Sequence, residues 1–271
     1  MGRPAHILIV IISLLFCANA FASEPIKVSS TVYPSFSQPN VIPGRGNGVL
    51  YDLTVEAFKA ADSEVKIDFV PMARIVWSVV EKKHHATLGV IEWFAKDQKD
   101  HLVETVELIN ANIVFFFKRE RFPDGLSYEK LSDLKKYKIG SLIGSSTLPL
   151  FEKAGINAEL VAELEQNFKK LNLGRIDLTV AIDLTGWNII KDLFPDSANN
   201  FSTVKKPLIQ LKTGLIFHKE QHDSLQTFKK GLDIILKNGT YHEIVERYYG
   251  KERAFDDVLP QAICGKMKEK P

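Results

Sequence analysis

Residues able to do chemistry cluster first at Gly144-Ser145-Ser146-Thr147, where a glycine and three hydroxyls end the alternating stretch Lys138–Ile143. A strand running into such a turn, followed by a helix, presents backbone N–H groups and side-chain oxygens at one helix N-terminus. That arrangement suits a carboxylate or another anionic or polar group. Simple helix capping by Ser145 or Ser146 accounts for the same residues equally well. The stretch is not a P-loop, because no Gly-Lys-Ser/Thr ending is present to reach a terminal phosphate. Nor is it a hydrolase elbow, because Gly-x-Ser-x-Gly does not occur there.

Other candidates sit at the ends of strand-like segments. Asp183 follows the alternating run Leu178–Ile182 and either faces a ligand ammonium or caps the next helix. Arg74, just after Pro71, opens a helix and either forks onto a carboxylate or is a surface arginine. Tyr33 and Phe36, after the first strand, either wall a cleft or pack in the core. Glu92 and Trp93 follow a strand that ends near Ile91. His218 and His222 are four apart, but no glutamate adjoins the first histidine and a strand-to-helix junction falls between them. His84-His85 reads as a solvated helix end beside Lys82-Lys83. Gly44-Arg45-Gly46-Asn47-Gly48 misses the spacing of a dinucleotide fingerprint and reads as a loop. No Ser/His/Asp or Cys/His set is linked by spacing, so no catalytic residue, metal ligand or cofactor is expected.

The elements that must position these residues alternate between strand and helix periods. Strands are expected at Ile26–Val32, Val65–Phe69 and His85–Ile91, and a long one at Ile109–Phe117. Helices carry Leu50, Leu53, Ala57 and Phe58, then Ile75, Val76, Val79 and Val80. The pattern restarts with a strand at Lys138–Ile143, helices at Ser146–Ala154 and Ala162–Leu173, a strand at Ile176–Ile182 and a helix at Leu184–Leu193. A strand at Leu211–Phe217 follows, then a helix with Asp223 as N-cap ending at Asn238-Gly239, and a last helix from Thr240 to Gly250. The tail Lys251–Pro271 reads as polar and is assigned no element. Repeated β-α-β units imply an α/β fold with mostly parallel sheets flanked by helices. Two such groups, joined by the long strands near 109–117 and 211–217, imply two lobes with two crossings and a ligand site between them.

The chain has 271 residues, 45% hydrophobic and 25% charged, which is ordinary globular composition. Residues 1–22 have the layout of a cleaved secretory signal: Arg3, the apolar run Ile7–Phe16, and small residues at Ala18, Ala20 and Ala22. That run is about ten residues, short of the roughly twenty that span a bilayer. The mature protein is therefore expected to be exported. A net charge of +2 without a basic stripe makes nucleic acid an unlikely partner by charge. Cys17 leaves with the signal, and Cys264 alone makes no disulfide; it reads as a partly buried small hydrophobe or an inert tail thiol.

Four stretches together resemble the family 3 periplasmic solute-binding proteins, of the amino-acid ABC transporter type, with the type II binding-protein fold. They are Gly48–Phe58, Leu131–Gly140 with Gly144–Thr147, Leu173–Asp183 and Leu236–Gly250. The resemblance implies two lobes, residues 23–114 with 215–271 and residues 115–214, joined by two hinge crossings. It implies a periplasmic, monomeric binder that captures a small polar solute, an amino acid or related amine or carboxylate, for an ABC importer permease. It assigns Gly144, Ser145, Ser146 and Thr147 to a ligand carboxylate, Asp183 to an α-ammonium, and Tyr33 with Phe36 to an aromatic wall. The family's usual carboxylate-binding arginine after the third strand is missing from Ile91–Lys99. Arg74, or Lys96 or Lys99 as point charges, would replace it, and Glu92 with Trp93 would instead favour a cationic or amine-bearing solute. The alternatives are a periplasmic dehydratase of a prephenate-like acid on the same fold, with Glu92 or Asp183 as acid, and a stand-alone solute sensor.

Overall fold

The computed structural model describes residues 24–250 and 258–268. The signal-peptide reading of residues 1–22, Cys17 included, lies outside the described residues. The first group of elements is β1 (Ile26–Ser30), α1 (Val49–Ala60), β2 (Val65–Phe69), α2 (Met72–Val80) and β3 (Ala86–Val90). A short helix α3 (Lys96–His101) leads into the long strand β4 (Val103–Lys118). The second group is β5 (Ile139–Leu142), α4 (Leu148–Lys153), β6 (Glu159–Val161), α5 (Leu164–Asn172), β7 (Leu178–Ile182), α6 (Asp183–Leu193) and β8 (Phe201–Thr203). The chain returns along β9 (Ile209–His218) and closes with α7 (His222–Asn238), α8 (Thr240–Tyr249) and α9 (Gln261–Lys268).

The strands form one sheet in the order β2-β1-β3-β9-β4-β7-β5-β6, with β8 beside β4. Three strands run parallel at each end, β2-β1-β3 in lobe 1 and β6-β5-β7 in lobe 2. β4 and β9 join the lobes as an antiparallel pair, from Val103 opposite His218 to Ile113 opposite Ile209, with a register shift between Glu107 and Ile109. At Ile113 strand β4 also begins to pair with β7, opposite Ile182, so the crossing from lobe 1 to lobe 2 lies there.

Burial follows from the sequence periods. All five residues of β3 are buried, as its near-continuous apolar run requires of a strand covered on both faces. Leu50, Leu53, Ala57 and Phe58 form one buried face of α1, and Phe58 meets Phe228 of α7 at 5.1 Å between ring centres. This face belongs to the lobe 1 core. Lobe 2 has two smaller cores, one around Phe115, Phe151 and Leu178, the other around Phe116, Phe168 and Phe201.

Several expectations change. β4 begins at Val103 rather than Ile109, because β9 provides a partner for residues whose own pattern is mixed. The three-residue strands β6 and β8 and the polar helix α3 carry too little periodicity to read. Helix α7 begins at His222 with Gln221 as the preceding cap, so Asp223 lies inside the first turn, where its charge suits the helix N-terminus. The tail is not merely polar: Val258, Leu259 and Ile263 are buried in the lobe 1 core, and Cys264 packs against it. Asn110 fixes this segment, its N–H donating to the Val258 carbonyl at 2.7 Å and its amide to that of Leu259 at 3.2 Å. His84 is not a solvated cap either, since it is partly buried and its Nε2 lies 3.3 Å from Asp68.

Candidate functional site

The site begins with the loop that leaves β1. Its tight turn at Tyr33–Ser37 holds Ser35 at φ 71°, a left-handed conformation uncommon outside glycine. The carbonyls of Ser35 and Phe36 accept the first N–H groups of α1, from Val49 and Leu50, at 3.0 Å each. Helix α1 is thereby capped by backbone, and its N-terminus is closed to an anion. Gly46 and Gly48 explain the glycine-rich stretch: φ is 125° and 118°, and a Cβ would collide with Asp52 and with the Phe36 backbone respectively. Asp52 anchors the loop by accepting hydrogen bonds from Tyr248 Oη at 2.7 Å and from the Asn47 N–H at 3.2 Å. Arg247 adds a donor to the Arg45 carbonyl at 3.0 Å.

Two adjoining cavities lie between the lobes. The inner one, about 490 Å³, is walled by Thr31, Met72 and Trp93 from lobe 1 and by Gly144 and Ser146 from lobe 2. The Trp93 ring lies against Gly89, where any Cβ would collide with the indole. The outer cavity, about 680 Å³, lies between the 33–45 loop and the faces of α5 and α6, with Arg45, Glu165, Asn188 and Asp192 among its walls. Tyr33, Ile113, Gly144, Ser146 and Ile182 line both. Tyr33 is 38% exposed and sits edge-on to Phe36 at 5.5 Å. Burial raises the Tyr33 phenol above its ordinary pKa, so it remains a neutral donor at physiological pH.

Of the residues expected at a site, Tyr33, Phe36, Trp93 and Gly144 to Thr147 come together around these cavities. Phe36 is buried in the lobe 1 core as well as reaching the inner cavity. In the lobe 2 turn Gly144 has φ 74°, and Ser145 Oγ accepts from the Thr147 N–H at 3.3 Å and pairs with Thr147 Oγ1 at 2.9 Å. Thr147 precedes α4, and neither Ser145 nor Ser146 makes a side-chain cap to that helix. Asp183 lines neither cavity. It is 2% exposed, and its Oδ1 accepts from the Leu184 N–H at 2.6 Å at the start of α6. Arg74 and Glu92 are exposed and also line neither cavity, and Lys96 pairs with Asp100 at 2.6 Å on the surface.

The sequence reading missed one face of α6. Thr185, Asn188, Ile189 and Asp192 all line the outer cavity. Their spacing of three, four and seven puts them on one helical stripe, and three polar residues along that stripe were the available signal. The stripe also bridges the lobes. Asn188 Nδ2 donates to Ser35 Oγ at 2.8 Å, and Thr185 Oγ1 donates to the Pro34 carbonyl at 3.4 Å. Leu184 inserts into the lobe 1 core beside them. Asn188 is 6% exposed, and its Oδ1 has no partner among the described residues.

No protein-family model matches the chain, and no curated protein matches it. Its fold is nevertheless shared with solved structures. The L-cystine solute receptor of Neisseria gonorrhoeae, unliganded and open, is 15% identical, with a TM-score of 0.65 over 84% of this chain and 94% of that one. A histidine kinase sensor domain with similarity to periplasmic binding proteins is 17% identical, with a TM-score of 0.59 over 84% and 97%. The substrate-binding protein of an amino acid ABC transporter is 15% identical, with a TM-score of 0.57 over 84% and 100%. The chain therefore has the two-lobed α/β fold of periplasmic binding proteins.

Proposed function

We propose that the protein is a periplasmic solute-binding protein that captures a small polar solute, an amino acid or related compound, between its lobes for ABC-type import. One observation carries the reading: two cavities lie between the lobes, each is walled by both, and among the described residues two strands join those lobes at the crossing. Neither half-site can satisfy a solute alone, so binding favours the closed arrangement through contacts made only there. In this reading lobe 1 is residues 23–114 with 215–271 and lobe 2 is 115–214. Tyr33, Phe36, Trp93 and Gly144 to Thr147 serve as contacts, and the protein acts as an exported monomer beside a permease. The acids named for the enzyme alternative, Glu92 and Asp183, line neither cavity. A sensory role is the second reading, favoured by the likeness to a kinase sensor domain.

The test is a thermal-shift screen of amino acids, polyamines, organic acids and sugars, followed by small-angle scattering with the solute that responds. Solute at about a hundred times its dissociation constant should stabilise the fold by about 2.7 kcal/mol. The radius of gyration should fall on binding. A tight-binding solute that leaves the shape unaltered would sink the clamp.

A further inference from the structure

The charged side chains of the cleft are unevenly divided, and this bears on which solute fits. Among the described residues, none that lines the inner cavity is charged. Its polar groups are partly committed to the protein: Ser30 Oγ donates to Ser37 Oγ at 2.8 Å, and Thr213 Oγ1 donates to the Ile109 carbonyl at 2.6 Å. Apolar surface faces the space instead, with Val32 and Met72 56% and 48% exposed and the Trp93 ring seated on Gly89. The outer cavity holds all the charge: Arg45 from lobe 1, and Glu165 and Asp192 from lobe 2. Among the described residues, none of these three is engaged in an ion pair.

A charged group moved from water into the inner cavity would meet no opposite charge there, and its desolvation would go uncompensated. In the outer cavity the same group finds a complement, anion to Arg45 and cation to Asp192 or Glu165. We propose that the solute is a zwitterion with an uncharged, largely apolar body. The body lodges against Trp93 in the inner cavity, and the ammonium and carboxylate lie in the outer cavity between Asp192 and Arg45. This deepens the binding-protein reading and rests on it.

Titration calorimetry with L-phenylalanine, L-tryptophan, L-leucine, L-arginine and L-glutamate tests it. One or more of the first three should bind more tightly than L-arginine and L-glutamate, whose side chains would carry a second charge into the inner cavity. Arg45→Ala and Asp192→Asn should each weaken the best of them about tenfold, the loss expected for one charge-assisted contact. Both positions face solvent or a cavity, and circular dichroism of each variant confirms its fold. Tighter binding of L-arginine or L-glutamate overturns the inference, as does unchanged affinity in both variants; either result leaves the binding-protein reading standing. Binding found only outside this panel, in the wider screen, has the same consequence. A chain that binds nothing in either experiment loses both.

Discussion

Asp52 shows how a single side chain holds the site together at some electrostatic expense. Burial pushes its carboxyl above the ordinary range, against the opposing effects of the Tyr248 hydrogen bond, the Asn47 N–H and the Arg247 charge. The Tyr248 phenol is pushed up in turn, first by burial and then by Asp52. A carboxyl with a raised folded pKa takes up its proton more readily in the native chain. Its contribution to stability is therefore present below the unfolded value, about 3.9, and is lost as pH rises through the folded value. Asp52→Asn cannot titrate, so the variant should gain on the parent as pH rises from about 4 through that window. Urea unfolding at a series of pH values reads this directly. A difference moving the other way would mean that Arg247 and Tyr248 outweigh desolvation. At the same scale, the sequence left Asp183 between ligand contact and helix end. Its Oδ1 accepts from the backbone of α6, as the end of β7 relative to the cleft dictates.

Among the elements, the segment from β3 to Trp93 is the most constrained wall of the inner cavity. Gly89 is in the fully buried strand, and the indole occupies the space its side chain would need. Gly89→Ala should displace the ring and destabilise the fold by about 1–3 kcal/mol, the usual range for overpacking. Tryptophan emission should shift with it. Trp77 and Trp187 also emit, so a Trp93→Phe control identifies the source. An unchanged spectrum and melting temperature would show that Trp93 is not seated on Gly89. Helix α6 is the matching wall of the outer cavity, and it was legible as a helix from its apolar spacing. Its polar stripe was not read as cavity lining, because a polar helical face is solvent-facing unless another lobe stands opposite it.

On the scale of the whole molecule, the C-terminal segment belongs to lobe 1 although it follows every strand. Val258 is fully buried and Ile263 is 3% exposed in the core that also supports α1 and α7. Removing residues 251–271 would uncover that core. Each large apolar side chain lost from burial is worth about 1.5–3 kcal/mol, so the truncated chain should melt well below the parent or fail to accumulate folded. A truncated chain with the parent's melting temperature would show the tail to be a passive appendage. The lobes themselves meet at the β4–β9 crossing and again where Asn188 and Thr185 of α6 reach Ser35 and Pro34. The proposed closure must carry the second contact with it or break it.

The order of the longer elements was legible in the sequence alone, though not α3, β6, β8 or α9, because helix and strand periods are local properties of the chain and hydrophobic burial acts on them directly. So was the division into two β-α groups, since long apolar strands near residues 113 and 211 could be placed only as connections. The tertiary structure decided which side chains meet. Tyr33, Trp93 and the 144–147 turn converge because β1, β3 and β5 end at the same cleft. Arg74, Glu92 and Asp183 follow strands β2, β3 and β7 in the same way but lie outside the cavities. The difference is the path of the 33–48 loop and the packing of α6 against it, both set by contacts more than a hundred residues apart, such as Asn188 to Ser35 and Tyr248 to Gly48. No local period encodes such contacts.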